Sequence, residues 1–242
     1  AILHQEFVRH CEAQRDVDGG IVGPEALARW RHPERGLLAP DAFIEQLEKL
    51  GLMEAFTEWA LRAACVQMAA WRRAGHPVSR VAVNVPPSAL QHCALASLIE
   101  TTLAEQQLPG HCLEVEITES ALQTGIEVFA CLDRIADAGS AIVLDDFGAG
   151  YASLMSLKHL PLVRLKIDRE FVHDIEHNAK SAAIVETMLT LAAKLGLDVL
   201  AEGVETPAQF AALKRLGCRQ FQGFLFDRPV APGEVAGDDR AA

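Results

Sequence analysis

The chain has 242 residues, of which 50% are hydrophobic and 23% are charged, a composition typical of a folded globular protein with one barrel-sized domain. Its formal net charge of −11 argues against a nucleic-acid-binding surface, because binding to phosphates requires clustered lysine and arginine. No apolar run reaches the ~18 residues of a membrane helix, and the N-terminus lacks a signal-peptide pattern. We therefore expect a cytoplasmic location, no membrane contact from this segment, and six cysteines that are reduced core thiols.

The predicted elements alternate between strands and helices along the chain. Strands are predicted at residues 7–12, 21–27, 81–85, 113–117, 141–144, 163–167, 199–201 and 219–222, and helices at 41–50, 52–74, 88–106, 126–138, 152–158, 180–195 and 207–216. A turn at residues 16–20 makes the first two strands a hairpin, and the missing initial methionine suggests a module of a longer protein.

This alternation predicts the fold class. Strands that alternate with helices form a parallel sheet, and about eight of them close into a (β/α)8 barrel, typically ~250 residues long. An open doubly wound sheet is the alternative, but Gly148-Ala149-Gly150 lacks the third glycine of its phosphate-binding turn. We predict a TIM-like (β/α)8 barrel with a modified first strand over residues 1–230, followed by a flexible tail over residues 231–242.

Two adjacent carboxylates, Asp145 and Asp146, follow the apolar run 141–144 and precede glycines at positions 148 and 150. Neighbouring residues on a strand point to opposite faces, so a buried strand rarely takes two consecutive acids. We expect the strand to end at Leu144, with the glycines turning both carboxylates into one pocket. A solvated turn is the alternative for this stretch taken alone.

Polar side chains stand at or just beyond the end of each predicted strand. They are Glu25, Asn84, Glu116, Glu119, Asp145, Asp146, Lys166, Asp168, Glu202, Glu205 and Gln222. In a barrel, these strand ends meet on one face, where active sites are built from residues far apart in sequence. Each residue alone could be a surface polar group, but their joint placement predicts one site.

The predicted site needs positive charge. Two carboxylates ~4 Å apart repel by about 4 kcal/mol at an effective dielectric of 20, and Lys166 alone cannot compensate several of them. An all-oxygen ligand set selects magnesium, manganese or calcium, and adjacent aspartates can bridge two ions for displacement at phosphorus. In such a site Lys166 would orient the attacking water and Glu202 would take its proton.

Seven ordered motifs carry a family resemblance over nearly the whole chain. They are Glu25-Ala26-Leu27, Val83-Asn84-Val85, Glu116-Ile117-Thr118-Glu119, Asp145-Asp146-Phe147-Gly148-Ala149-Gly150-Tyr151, Lys166-Ile167-Asp168, Glu202-Gly203-Val204-Glu205 and Gln222-Gly223-Phe224-Leu225-Phe226. This pattern resembles the EAL domain family of bacterial cyclic di-GMP phosphodiesterases. The resemblance implies a barrel that hydrolyses cyclic di-GMP to linear pGpG with two magnesium or manganese ions.

The resemblance also implies roles for individual residues. It implies metal ligands at Glu25, Asn84, Glu116, Asp145 and Asp146, catalytic roles for Lys166 and Glu202, substrate contacts from Arg29, Gln222, Glu205 and Asp168, and support of the loop after Asp146 by Glu119. It further implies a homodimer, with the loop at residues 147–153 coupling the subunits, and sensory or cyclase-like domains elsewhere in the same protein.

The chain departs from the family pattern at two places. Cys11-Glu12-Ala13 stands where Tyr-Gln-Pro is usual, so Glu12 replaces an amide with an acceptor-only carboxylate, and Pro86 replaces a serine. The first departure favours the alternative of a non-catalytic cyclic di-GMP-binding module. A third interpretation, a magnesium-dependent barrel enzyme acting on an enolisable acid, would need a second lysine or histidine in the mouth. His173 and His177 are four residues apart, but we interpret them as a solvated helix entrance rather than a metal pair.

Overall fold

The computed structural model describes residues 6–91, 94–123, 125–148 and 157–235. Nine strands lie in these ranges: β1 (Phe7–Asp16), β2 (Ile21–His32), β3 (Gly36–Leu38), β4 (Val81–Asn84), β5 (Leu113–Thr118), β6 (Ala141–Phe147), β7 (Leu162–Ile167), β8 (Asp198–Ala201) and β9 (Gln220–Phe221). No helix in the described part of the chain combines the length and the apolarity needed to cross a bilayer.

Eight of these strands close into a barrel. Their order around it is β1-β9-β8-β7-β6-β5-β4-β2, and pairing of β1 with β2 completes the circle, while β3 extends β2 outside it. Strand β1 runs antiparallel to both neighbours, whereas the pairs from β2 round to β9 are parallel. The predicted TIM-like barrel is confirmed, and the modification of its first strand is a reversed direction.

Eight α-helices are seen within the described residues. They are α1 (Ile44–Lys49), α2 (Met53–Arg73), α3 (Pro87–Leu90), α4 (Ala94–Glu105), α5 (Ile126–Asp137), α6 (Arg169–His173), α7 (Ala179–Leu195) and α8 (Pro207–Leu216). The single helix predicted over 88–106 is therefore wrong, because α3 and α4 are separate helices.

The helix predicted at 152–158 and the proposed coupling loop at 147–153 lie mostly outside the described residues. Helix α6 ends at His173, so His177 does not share a helix with it.

Local sequence explains where the best-defined helices begin and end. Thr206 and Gln209 form a reciprocal capping box at the start of α8, and Pro207 occupies its first turn, where a missing backbone donor costs nothing. Gly217 ends the same helix in the left-handed conformation, with φ of +99°. Asn178 caps α7 in the same way that Asp168 caps α6, through a side-chain oxygen.

The apolar core lies between the outer barrel wall and the helices. On β5, for example, Val115 and Ile117 are buried outside the barrel, while the alternating residues Glu114 and Glu116 point inward. A smaller cluster beside β1 and β2 is formed by Phe7, Phe43, Leu47, Met53 and Phe56.

Two expectations concern the periphery. Five of the six cysteines have buried thiols, as predicted, and Cys93 lies outside the described residues. Within the predicted tail, Val235 is buried and its carbonyl oxygen lies 3.1 Å from Nε2 of His76, whereas Ala231, Gly233 and Glu234 are exposed. The remainder of the predicted tail, residues 236–242, is outside the described part of the chain.

Candidate active site

A bulge in β6 brings the two adjacent aspartates to one side of the strand. The expected strand end at Leu144 is wrong, because β6 continues through Phe147. Between these two residues β6 has one residue more than its partner β7, where the pairing passes from Leu165 to Ile167. Asp146 takes up the extra length in the left-handed conformation, with φ of +53°, which aspartate tolerates better than most residues. The bulge at Asp146 therefore turns the two carboxylates into one pocket, a role that we predicted for the glycines.

Lys166 is at the centre of the barrel mouth and is fully buried. Its Nζ lies 2.6 Å from Glu202, 3.1 Å from both Glu116 and Asp145, and 3.7 Å from Glu25. Burial alone would lower the pKa of Lys166, but these four carboxylates outweigh burial and raise it well above its usual range. The lysine is therefore a permanent cation that holds together side chains from strands on all sides of the barrel.

The carboxylates nevertheless exceed the charge that one lysine supplies. Burial raises the pKa of Glu202 to about 8, with Asp145 adding to the effect and Lys166 opposing it. Burial and the neighbouring Asp145 and Asp168 raise the pKa of Asp146 to about 6, and burial also raises the pKa of Glu116. Burial and mutual repulsion thus disfavour the charged forms of these carboxylates, and a further cation would stabilise them.

The donor set fits a hard divalent cation. Ligand oxygens of Asp145, Asp146 and Glu202 lie within 4.8 Å of one another, close enough to share an ion. The buried amide oxygen of Gln222 has no hydrogen-bond partner among the described residues, so it is a further acceptor in the mouth. All of these atoms are oxygens, the ligands that magnesium, manganese and calcium prefer.

Glu25 is fixed by two amides, one at the end of β4 and one just after β9. Asn84 donates through Nδ2 to one carboxylate oxygen, and Gln222 donates through Nε2 to the other at 2.6 Å. Burial acts to raise the pKa of Glu25, but Lys166 and these two hydrogen bonds lower it overall. The structure thus brings Glu25, Asn84 and Gln222 together, as the sequence predicted.

Glu12 belongs to the same mouth. It faces Glu25 across the β1–β2 pair and is buried, with only 8% of its surface exposed. Burial and the nearby Glu25 raise the pKa of Glu12 to about 7, against the effects of Gln222, Lys166 and Arg29. Glu12 stands where the family pattern has a glutamine, and its place opposite Glu25 in the hairpin makes it a further acid of the site.

Two predicted residues at the edge of the site have well-defined contacts. The Oε1 atom of Glu119 accepts a hydrogen bond of 2.7 Å from the backbone N–H of Gly148, directly after the bulge. Arg29 is half-buried and donates to the carbonyl oxygen of Ala28. Burial lowers the pKa of Arg29, although Glu12 and other acids oppose this, so the guanidinium lies beside the acidic mouth.

Asp168 and Glu205 are less closely tied to the cluster. Asp168 accepts a hydrogen bond of 2.6 Å from the backbone N–H of Glu170 as the cap of α6, and its carboxylate also lies next to Asp146. The Glu205 side chain is exposed, and its backbone N–H donates to Gln209. No ion pair or hydrogen bond among the described residues connects the Glu205 carboxylate to Lys166 or its partners.

Comparison with known proteins identifies the family. The family model described as EAL domain matches residues 1–229. This chain belongs to the EAL domain family. Among curated relatives of this EAL domain, MucR of Pseudomonas aeruginosa, a bifunctional diguanylate cyclase/cyclic di-GMP phosphodiesterase, is 41% identical over 232 residues, or 95% of this chain and 34% of MucR. The cyclic di-GMP phosphodiesterase NbdA of the same organism is 42% identical over 215 residues, or 88% of this chain and 28% of NbdA.

The EAL domain thus spans about a third of the length of the curated relatives it matches. Solved structures agree with its fold. The PaMucR phosphodiesterase in complex with c-di-GMP superposes with a TM-score of 0.93 at 38% identity, covering 98% of this chain and 96% of that one. The EAL domain of Mycobacterium smegmatis DcpA gives a TM-score of 0.82 at 32% identity, with coverage of 94% and 95%.

Proposed function

We propose that this EAL domain hydrolyses cyclic di-GMP to linear pGpG, and so terminates a bacterial second-messenger signal. The observation that carries the proposal is the cluster around Lys166, in which the buried Glu25, Glu116 and Asp145 and the partly buried Glu202 surround one ammonium group. Membership of the EAL family and the phosphodiesterase names of MucR and NbdA supply the reaction and the substrate.

The residues of the mouth fit two magnesium or manganese ions. Glu25, Asn84, Glu116 and Asp145 would hold one ion, and Asp145 and Asp146 would share the second. When bound, the ions neutralise charge on the phosphate and make a water molecule more acidic. The raised pKa values of Glu116, Asp146 and Glu202 support this assignment, because burial and neighbouring carboxylates disfavour their charged forms, which a bound cation would stabilise.

Glu202 would accept a proton in the reaction, and Lys166 would position Glu202. Water would attack phosphorus in line with the 3′-oxygen, and the new P–O bond would form as the P–O3′ bond breaks. Glu202 would accept the proton of the water, and the departing 3′-oxygen would take up a proton from solvent to become the 3′-hydroxyl of pGpG. A buried carboxylate with a raised pKa suits a general base near neutral pH. The 2.6 Å contact with Lys166 fixes the orientation of Glu202 before the substrate arrives.

The remaining predicted residues would bind substrate or support the site. Arg29 has a planar donor fork at the edge of the mouth, which suits two phosphate oxygens. The unpartnered amide oxygen of Gln222 can accept a hydrogen bond from the dinucleotide. Asp168 and Glu205 would contact the substrate from the rim, and Glu119 would hold the backbone that follows Asp146.

The assembly of the protein is also part of the proposal. We expect a homodimer in the cytoplasm, and sensory or cyclase-like domains joined to this one. The second expectation is supported by relatives about three times as long as this chain.

A binding module without catalysis is the second candidate, and Glu12 is the observation that favours it. Its carboxylate lies beside Glu25 in a mouth that must accept an anionic substrate, where a negative charge opposes binding and turnover.

The deciding experiment is hydrolysis by the purified domain with Mg²⁺, with Mn²⁺ and with a chelator, followed by chromatography of pGpG. We expect metal-dependent product from the wild type, none from Glu25→Gln, and full activity from the exposed control Glu54→Gln. Binding of cyclic di-GMP without product under both metals would replace the proposal with the binding module.

A further inference from the structure

A second layer of buried charge lies beneath the acidic mouth, inside the barrel. Arg164 and Glu114 are each 1% exposed and form an ion pair of 2.8 Å. Arg80 approaches the other carboxylate oxygen of Glu114 to 3.0 Å. Arg164 and Lys166 are two residues apart on β7, and Glu114 and Glu116 are two residues apart on β5, so the side chains of each pair point to the same face of the strand. The two charged layers are therefore stacked directly on each other. Two arginines and one glutamate give the lower layer a formal charge of +1.

Gln14 of β1 is the side chain that joins the two layers. It is 1% exposed, and its Nε2 lies 3.5 Å from Oε1 of Glu116 in the upper layer. Its Oε1 lies 3.5 Å from Nη1 of Arg164 in the lower layer. Gly23 is its partner on β2, and a Cβ there would lie 2.9 Å from the Arg80 side chain, so the glycine leaves room for the lower layer.

The chemistry of its neighbours fixes the orientation of this amide. Arginine only donates hydrogen bonds, so the Gln14 oxygen must face Arg164. With its oxygen towards Arg164, the amide turns its amino group towards Oε1 of Glu116 and donates to it. Oε1 of Glu116 is therefore held from below, and its Oε2, 3.1 Å from Lys166, is the oxygen turned towards the mouth.

Stability alone does not account for this arrangement. The interior of a TIM barrel is usually filled by branched apolar side chains, and replacing a buried ion pair with apolar residues is often neutral or stabilising. A polar side chain that joins two charged layers is instead typical of residues that do not touch a metal but orient its ligands through hydrogen bonds.

We propose that Gln14 is a positioning residue for Glu116, holding one carboxylate oxygen so that the other is presented to a divalent cation. The inference rests on the proposed function, because it assumes that Glu116 is a metal ligand. Gln14 lies below the mouth and acts through Glu116, and it has no place in substrate binding.

The test is the affinity of the purified domain for Mn²⁺, measured by electron paramagnetic resonance of the free ion. Gln14→Met keeps the length of the side chain but removes both polar contacts, and Gln67→Met, a partly buried glutamine on α2 that accepts from Arg9, is the matched control. We expect Gln14→Met to bind Mn²⁺ about 10- to 100-fold more weakly than the wild type. The control should bind within twofold.

A kinetic measurement separates positioning from a general loss of structure. With cyclic di-GMP, Gln14→Met should lower kcat and leave KM within twofold of the wild type. If Gln14→Met does not fold, Gln14→Asn keeps the amide but is one methylene too short to reach both partners, and it should show the same loss of Mn²⁺ affinity.

Two results would overturn the inference. Wild-type affinity in both Gln14 variants would refute it and leave the proposed function intact. Failure of the wild-type domain itself to bind Mn²⁺ would overturn the inference and the proposed metal site together.

Discussion

Removing the ammonium group of Lys166 should destabilise the metal-free domain strongly. Lys166 is fully buried and lies within 3.7 Å of four carboxylates, so Lys166→Met leaves several buried negative charges without a partner. Breaking a buried ion pair by removing one partner costs about 3–5 kcal/mol. For a domain of this size, each 1 kcal/mol lowers the melting temperature by about 2–4 °C. We therefore expect Lys166→Met to melt about 6–20 °C below the wild type.

The assay is thermal unfolding in a chelator, followed by circular dichroism. Lys194→Met, an exposed lysine near the end of α7, is the control and should lie within about 0.5 kcal/mol of the wild type. Adding Mn²⁺ should raise the melting temperature of Lys166→Met more than that of the wild type, since a divalent cation neutralises the same carboxylates. A metal-free Lys166→Met variant within about 1 kcal/mol of the wild type would refute the central role given to the ammonium group.

Three further outcomes are expected. At about pH 8.5, above the pKa of about 7 of Glu12, Glu12→Gln removes a full negative charge, and repulsion between such a charge and a phosphate taken to be ~10 Å away is worth about 1–2 kcal/mol at an effective dielectric of 20. Calorimetry at this pH in a chelator should therefore show cyclic di-GMP binding roughly 5- to 30-fold more tightly. Gly223→Ala should lower the free energy of unfolding in urea by about 2–4 kcal/mol, because φ is +148° and a Cβ would lie 2.4 Å from the Val204 backbone. Burial raises the pKa of Cys11 and Cys65 to about 12, so their thiols should not react with a disulfide reagent at pH 8 in the native domain.

Each of these outcomes has a matched control. Glu54→Gln removes an exposed acid and should leave the affinity unchanged, whereas weaker binding by Glu12→Gln would mean that the Glu12 carboxylate contacts the ligand directly. Gly233→Ala has open space around its Cβ and should be neutral, so equal losses in the two glycine variants would contradict the steric argument. Denaturant should expose all six thiols, and rapid native reaction of Cys11 or Cys65 would contradict their burial.

Local patterns in the sequence were sufficient to predict the barrel and to place most of the polar residues at its mouth. Side-chain alternation on a strand is a local property, so the spacing of Glu116 on β5 and Lys166 on β7 already placed both residues at one face. The helix predicted at 207–216 was equally accessible to local patterns, and the structure shows it bounded by Thr206 and Gly217, which act within one turn of its ends.

Features that depend on pairing between distant strands could not be obtained in this way. The bulge at Asp146 exists only relative to the register of β7, and no local pattern distinguishes it from a turn after Leu144. The role of Gln14 depends on Arg164 and Glu116, which lie 150 and 102 residues away along the chain. Nothing in the local sequence around Gln14 predicts contact with either of these residues.

The reversed first strand also determines where a preceding polypeptide would meet the barrel. In the β1–β2 pair, Phe7 lies opposite Trp30, on the part of β2 that continues beyond Glu25 and past the mouth. A barrel whose first strand ran with the others would receive its chain at the closed end. Here a segment joined ahead of β1 would arrive next to the mouth, so its movements would reach the carboxylate cluster without passing through the barrel.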